Sequence, residues 1–398
     1  MRKIPKSEFQ KRIENLRKKM IEDNTDIFII YGDEYRRENL RYVSNYWPIF
    51  ERGMLAVGSD KDIEPILLTS PECEHLAREM SCWEVIRIIR EVGMSYVPEE
   101  VEFTNVNFTT IKDVVNELTN NKSKIKVKVA GIDAMSVVLY ENLRSSLGNA
   151  VIENGDSILY SLRYIKSLVE IEMLKKAWEI CDIGYKAVLD LNIIGLTERQ
   201  AAAIGEKAAR DAGAEHIAFT ILASGERTNS IVGRPSEKVI ERNDMIMYAL
   251  AVQYEGYIAS NEWPFVAGGK PSKEQRNLIY HLVNAEDIGK RTIKSGVSQG
   301  EIVKLIRNYF RENGLMLYDL YPPMHGNGLA EAESPYPDEN THEKFVPGIG
   351  INFDVSLFGI PGVGSNRIEE GFIVVENGLI TLSKLIDNLK AEYLNTKI

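Results

Sequence analysis

Residues Met324 to Glu370 constrain the fold of this chain more than any other stretch: MHGNGLAEAESPYPDENTHEKFVPGIGINFDVSLFGIPGVGSNRIEE. The stretch opens on His-Gly-x-Gly (His325 to Gly328) and passes through Pro347-Gly348 into an apolar strand with one acid, Asp354. It closes on Arg367-Ile368-Glu369. The glycines let backbone approach a small ligand closely. Strand residues two apart share a face, so Asp354 points away from the side taken by Ile351 and Phe353 and is free to enter a cleft. Three side chains able to hold a metal or move a proton, His325, Asp354 and Glu369, therefore lie on strand-and-turn sequence.

At 398 residues the chain is long enough for two domains with substantial cores, and 44% hydrophobic with 27% charged residues is the balance of an ordinary globular protein. Fifty-eight acids against 48 bases give a net charge of −10, which argues against a nucleic-acid partner. Cys73, Cys82 and Cys181 lack metal-ligand spacing and read as buried free thiols in a reducing compartment. The opening MRKIPKSEFQKR has no apolar core for a signal peptide, and no run approaches a membrane span. A cytoplasmic location with no membrane partner is the expectation.

In the first part, Phe9, Ile13, Leu16 and Met20 recur at helical spacing. Short strands follow near 26–31, 54–58, 65–69 and 126–132, alternating with helices near 72–80, 109–118 and 136–147. That alternation predicts an α/β domain. A second domain begins with a long helix whose core face is Ile171, Leu174, Trp178, Cys181 and Tyr185. Thr197 caps the next helix and Gly213 ends it. Residues 243–265 read as a hairpin turning at Glu255-Gly256. Two further helices, near 272–295 and 299–313, give this part an α+β character.

The order His-Gly-x-Gly, Pro-Gly with an acid in the following strand, then Arg-Ile-Glu resembles the creatinase/aminopeptidase P/methionine aminopeptidase superfamily, the pita-bread fold. The resemblance extends over nearly the whole chain. It implies a creatinase/prolidase-like N-terminal α/β domain over residues 1–157 and a pita-bread α+β catalytic domain over 158–398. In metal-dependent members, the resemblance implies two divalent ions held by two hairpin aspartates, the histidine, a strand glutamate and the final glutamate. Here the aspartate positions fall on Ala249 and Ser260, and Asp354 replaces the strand glutamate. Two histidines found in the proline peptidases fall on Val232 and Ala332.

Creatinase, which works on this fold without metal, also lacks the two aspartates and carries a glutamate two residues beyond the second. That position is Glu262 here. The resulting expectation is a metal-free, cofactor-free hydrolase or lyase of a C–N bond in a small cationic metabolite. Glu262 and Glu369 would bind the cation by charge-assisted hydrogen bonds and His325 would transfer the proton. Asp354 would face the substrate, and Arg227, Asn229 or Arg52 would hold a carboxylate. The aromatic run containing Tyr46 and Trp47 is expected to close the pocket of a homodimer, its N-terminal domain reaching the partner's active site. A second reading is a mononuclear metallohydrolase or Xaa-Pro peptidase-like enzyme using His325, Asp354 and Glu369. A third is a non-catalytic peptide- or partner-binding pita-bread protein.

Overall fold

Apolar runs rich in β-branched residues make two separate sheets in the computed structural model, which describes residues 3–93 and 101–395. The first sheet has six strands: β1 (Ile27–Asp33), β2 (Arg52–Gly58), β3 (Ile66–Thr69), β4 (Ile86–Ile88), β5 (Lys126–Ala130) and β6 (Val151–Asn154). Their order is β4-β3-β2-β1-β5-β6, with β1 antiparallel to β2 and parallel to β5. Ile27, Ile29, Val127 and Val129 form one core with Val114 and Leu118 of the helix Ile111–Thr119 and Leu139 and Leu143 of the helix Val137–Leu147. Thr110 and Asp113 close a capping box on the first helix, and Ser136 caps the second.

This first unit ends at Arg163, so the division falls six residues beyond the expected residue 157. The helix Asp156–Arg163 stays with the first unit, where Arg163 donates to Asn39 and Leu162 accepts from Tyr42. After β1 the chain forms the short helix Glu38–Ser44, ended by Asn45 in the left-handed conformation.

The second unit carries an eight-stranded sheet: β7 (His216–Ser224), β8 (Met245–Tyr254), β9 (Tyr257–Glu262), β10 (Phe265–Val266), β11 (Met324–Gly326), β12 (Gly350–Ile360), β13 (Gly364–Val375) and β14 (Gly378–Thr381). The path is β10-β8-β9-β13-β12-β11, with β7 on β8 and β14 on β13. Glu255 and Gly256 both have positive φ, the two-residue turn that lets β8 and β9 pair directly. The helix Leu168–Leu189 buries Leu174, Trp178, Cys181 and Tyr185 against this hairpin, Cys181 donating to Leu250 and Tyr185 to Tyr248. Ser167, Thr197 and Ser272 each cap a helix with a reciprocal partner three residues on. Among the described residues no helix is long and apolar enough to cross a membrane, and the three cysteines are free and buried.

Candidate active site

Cross-strand register puts the acids together. Glu262 of β9 lies opposite Glu369 of β13, and Glu369 lies opposite Asp354 of β12. Direct partners in an antiparallel pair share a face with Cβ atoms roughly 5 Å apart, so three carboxylates form one row across three strands. Ala249 continues the row on β8, opposite Glu262, and brings no charge.

His325 reaches this row from β11, where it pairs with Asn352. Its Nδ1 lies 2.9 Å from the Gly326 carbonyl, and donation there leaves Nε2 free toward the acids. Nε2 is 3.6 Å from Glu331 Oε1 and 3.7 Å from Glu369 Oε1. Burial works against protonation of this imidazole, but Glu331 and Glu369 outweigh it and push its pKa up to about 10. The surrounding acids thus raise the proton affinity of this imidazole above the ordinary histidine value that the sequence suggested.

The His-Gly-x-Gly motif has a packing cause. A Cβ on Gly326 would meet the Ser334 carbonyl at 2.2 Å, and one on Gly328 would meet Glu333 at 2.3 Å. The loop after the motif therefore folds back on it, with backbone hydrogen bonds exchanged between Gly326 and Glu333. Glu333 is pinned by Lys166 at 2.6 Å in a buried ion pair. That return carries Glu331 to the imidazole. Asn327 donates to Asn352, which donates to Glu369 Oε1 at 2.8 Å, while Ser260 donates to Glu369 Oε2 at 3.0 Å. Both oxygens of Glu369 are held in place.

The cation beside Glu262 comes from the chain itself. Arg367 Nε makes a short ion pair with Glu262 Oε2 and lies 3.8 Å from Asp354 Oδ1, and its Nη1 donates to the Tyr321 hydroxyl at 3.0 Å. Burial raises the Glu262 carboxyl on balance, with Arg367 opposing. Glu262 is fully buried, so the expectation that it grips a cationic substrate is corrected: its charge is already answered.

A cavity of ≈ 990 Å³ opens over the row. His325, Glu331, Asp354, Arg367 and Glu369 line its floor, with Phe219, Ile221, Met324 and Tyr336 among its apolar walls. Val232 and Ala332, the positions expected to have lost histidines, also line it, as do Arg199 and Arg234.

Arg227 and Asn229 are corrected as carboxylate binders. Arg227 Nε is committed to Glu198 at 3.0 Å, Asn229 accepts from Ser365, and neither lines this cavity. Tyr46 is a core residue, buried with its hydroxyl on Thr69, and Trp47 lies beneath Arg37 and Arg41. Arg52 begins β2 opposite Asp33. These three belong to the first unit, and their packing there does not require a ligand.

His325, Glu331 and Glu369 offer ligand atoms all within 4.8 Å of one another. One imidazole and two carboxylates suit a single divalent ion. Glu331 stands in this cluster where the sequence offered Asp354, which faces Arg367 and Tyr321. Ala249 and Ser260, where the resemblance places the two aspartates, supply no carboxylate for a second ion.

Comparison with known proteins places the chain. The profile of Metallopeptidase family M24 matches residues 172–376, more than half of the chain, and that of the Creatinase/Prolidase N-terminal domain matches 12–165. An Xaa-Pro dipeptidase of Pyrococcus furiosus is 28% identical over 76% of this chain and 85% of its own. The crystal structure of the prolidase from Pyrococcus horikoshii OT3 superposes with a TM-score of 0.79 at 23% identity, covering 94% of this chain and 98% of that one. The X-Pro aminopeptidase from Thermotoga maritima MSB8 gives 0.79 at 25% identity, covering 94% and 97%. The two-domain pita-bread architecture is established. The cofactor-free expectation is overturned, because the matching family is one of metallopeptidases, two of the sequence relatives are Xaa-Pro dipeptidases, and Glu331 joins His325 and Glu369 in a group that could hold a metal ion. The chain belongs to metallopeptidase family M24, a creatinase/prolidase-type N-terminal domain preceding its catalytic domain.

Proposed function

We propose that this chain is a metal-dependent hydrolase that cleaves an amide bond in small peptides with one divalent ion on His325, Glu331 and Glu369. The observation that carries the reading is the convergence of those three ligand atoms within 4.8 Å on the floor of the ≈ 990 Å³ cavity. The likeness to Xaa-Pro dipeptidases supports a peptide as substrate. A divalent ion bound there supplies Lewis acidity toward a carbonyl and activates water at neutral pH.

The chain's own residues prepare the site. Gly326 fixes the His325 tautomer so that Nε2 faces the cluster. Ser260 and Asn352 fix the Glu369 carboxylate, which keeps its position without reorganising. The apolar walls exclude water from a bound peptide, and low local polarity strengthens the charge interactions beneath it. With Val232 and Ala332 at the positions expected to hold two histidines, the wall there binds by shape and offers no imidazole to the substrate.

The test is turnover of a panel of Xaa-Pro and non-proline dipeptides after loading with Mn²⁺, Co²⁺ or Zn²⁺. Hydrolysis is expected to require metal, to cease on chelation and to return on reloading. Glu369→Gln is expected to lower kcat/KM by about 10³-fold or more, the scale of losing a directly engaged charged group. Turnover indifferent to chelation, or a metal-loaded protein that cleaves nothing in the panel, would sink the proposal.

A further inference from the structure

We infer that Arg234 anchors a substrate carboxylate, so that the site takes peptides carrying an acid on the C-terminal side of the cleaved bond. The inference deepens the hydrolase reading and rests on it for the cleavage, not for the binding. Four basic side chains line the cavity, and three of them are answered within the chain. His325 faces Glu331 and Glu369, Arg367 pairs with Glu262, and Arg199 pairs with Glu237. Arg234 is the exception. Among the described residues its guanidinium has no hydrogen bond and no ion pair, although Glu206 lines the same cavity.

An exposed arginine is ordinarily a solvated surface charge, but the segment carrying this one is tied down at both ends. Glu198, fully buried, accepts from the backbone and hydroxyl of Ser224 through Oε1 and from those of Ser236 through Oε2. The same carboxylate holds Arg227 Nε at 3.0 Å, and Arg227 Nη2 donates to the Arg234 carbonyl at 3.0 Å. Pro235 follows and keeps the Arg234 backbone extended. Between the ties, Ile231 has φ of +22°, a conformation that a β-branched residue adopts only when its surroundings impose it. Its side chain packs against the apolar group of Ile221 and Met247, while Val232 turns outward to line the cavity with Arg234. The guanidinium thus leaves a fixed backbone and reaches a cavity in which nothing of the chain's own answers it.

The opposite sign lies on the floor. Glu331, Asp354 and Glu369 repel a carboxylate from it and attract an amino-terminal ammonium. A peptide therefore enters with its ammonium toward the floor, and its acid end meets Arg234 on the wall. Arginine suits that end because its planar fork takes both oxygens of a carboxylate at once.

Kinetics of the Mn²⁺-loaded chain on three peptides decide the matter: the dipeptide acid turned over fastest, its C-terminal amide, and an Xaa-Glu amide with the same first residue. The wild type is expected to favour the acid over its amide in kcat/KM by about 10- to 100-fold, the scale of a hydrogen bond to a charged group. Arg234→Ala is expected to shrink that preference below about threefold, chiefly through KM, and Arg234→Glu to reverse it. Arg234 is exposed, so neither change unpairs a buried group, and Tm should stay within about 2 °C. Turnover of the Xaa-Glu amide near that of the acid assigns Arg234 to a side-chain carboxylate as well. Turnover near that of the plain amide assigns it to the terminal carboxylate alone.

A wild type that cleaves acid and amide equally, or an Arg234→Ala that keeps the preference, overturns the inference and leaves metal-dependent hydrolysis standing. If no peptide is cleaved, the hydrolase reading fails, and calorimetry with a dipeptide whose amide is reduced to CH₂–NH decides Arg234 alone. Tighter binding of its acid than of its C-terminal amide, lost in Arg234→Ala, supports the anchor. Equal binding of the two, or none of either, overturns it.

Discussion

Glu331 separates the site as built from the site as the sequence suggested. His325, Asp354 and Glu369 look like one metal set on paper, but the loop closure between Gly326 and Glu333 delivers Glu331 to 3.6 Å from the imidazole. Glu331→Gln is therefore expected to weaken metal binding at least about tenfold, and Asp354→Asn to weaken it less. Competition against a chromophoric chelator reads both. Equal losses, or a larger loss at Asp354, would restore the set drawn from sequence. His325 and Glu369 were legible because their motifs carry glycines and spacing that composition does not produce. Glu331 was not, because one glutamate in an Ala-Glu-Ala-Glu loop carries no periodicity, and only tertiary return brings it inward. Glu262 was legible as an acid in the site and misread in its role, since nothing local shows Arg367 reaching it from another strand.

The long elements were readable from pattern and caps. Thr110, Ser136, Ser167, Thr197 and Ser272 each begin a helix where a short polar side chain precedes an apolar repeat. The short ones were not. β4, β6, β11 and β14 span three or four residues and exist through pairing with distant strands. The terminal helix Lys384–Asn395 was also missed, because what fixes it is a charge reaching into other elements. Lys390 bonds Glu286 of the helix Lys273–Thr292 at 2.9 Å and ion-pairs with Glu370 of β13. Glu370 follows Glu369 on the strand and faces the opposite side, so adjacent glutamates serve a structural pair and a candidate metal site. Lys390→Ala leaves buried Glu286 and Glu370 with only the more distant Lys290, 3.9 Å from Glu370, and is expected to cost about 3 kcal/mol in urea unfolding. A loss under about 0.5 kcal/mol, the size of a surface change, would show that the helix is held by its apolar contacts alone.

At the scale of the whole chain, charge and chemistry divide unequally between the two units. All three proposed ligand atoms, the carboxylate row and the ≈ 990 Å³ cavity lie in the unit from Tyr164 onward. The unit ending at Arg163 has its own six-stranded sheet and core and contributes none of them. A ligand that binds only the folded state stabilises it by mass action, by about 2.7 kcal/mol at a hundred times Kd. For a domain of this size that amount raises Tm by roughly 5–10 °C. The gain has a particular location if the ion bridges the loop after His325 and the middle of β13. Hydrogen exchange measured with and without Mn²⁺ is expected to slow in β11, in the return carrying Glu331 and in β13, and to stay unchanged in the first sheet. These segments meet at the cluster although they are far apart in the chain, so coincident protection would report a single bound ion joining them. Protection spread evenly over both sheets would instead mean that the cations act on the net charge of −10 and not at a site.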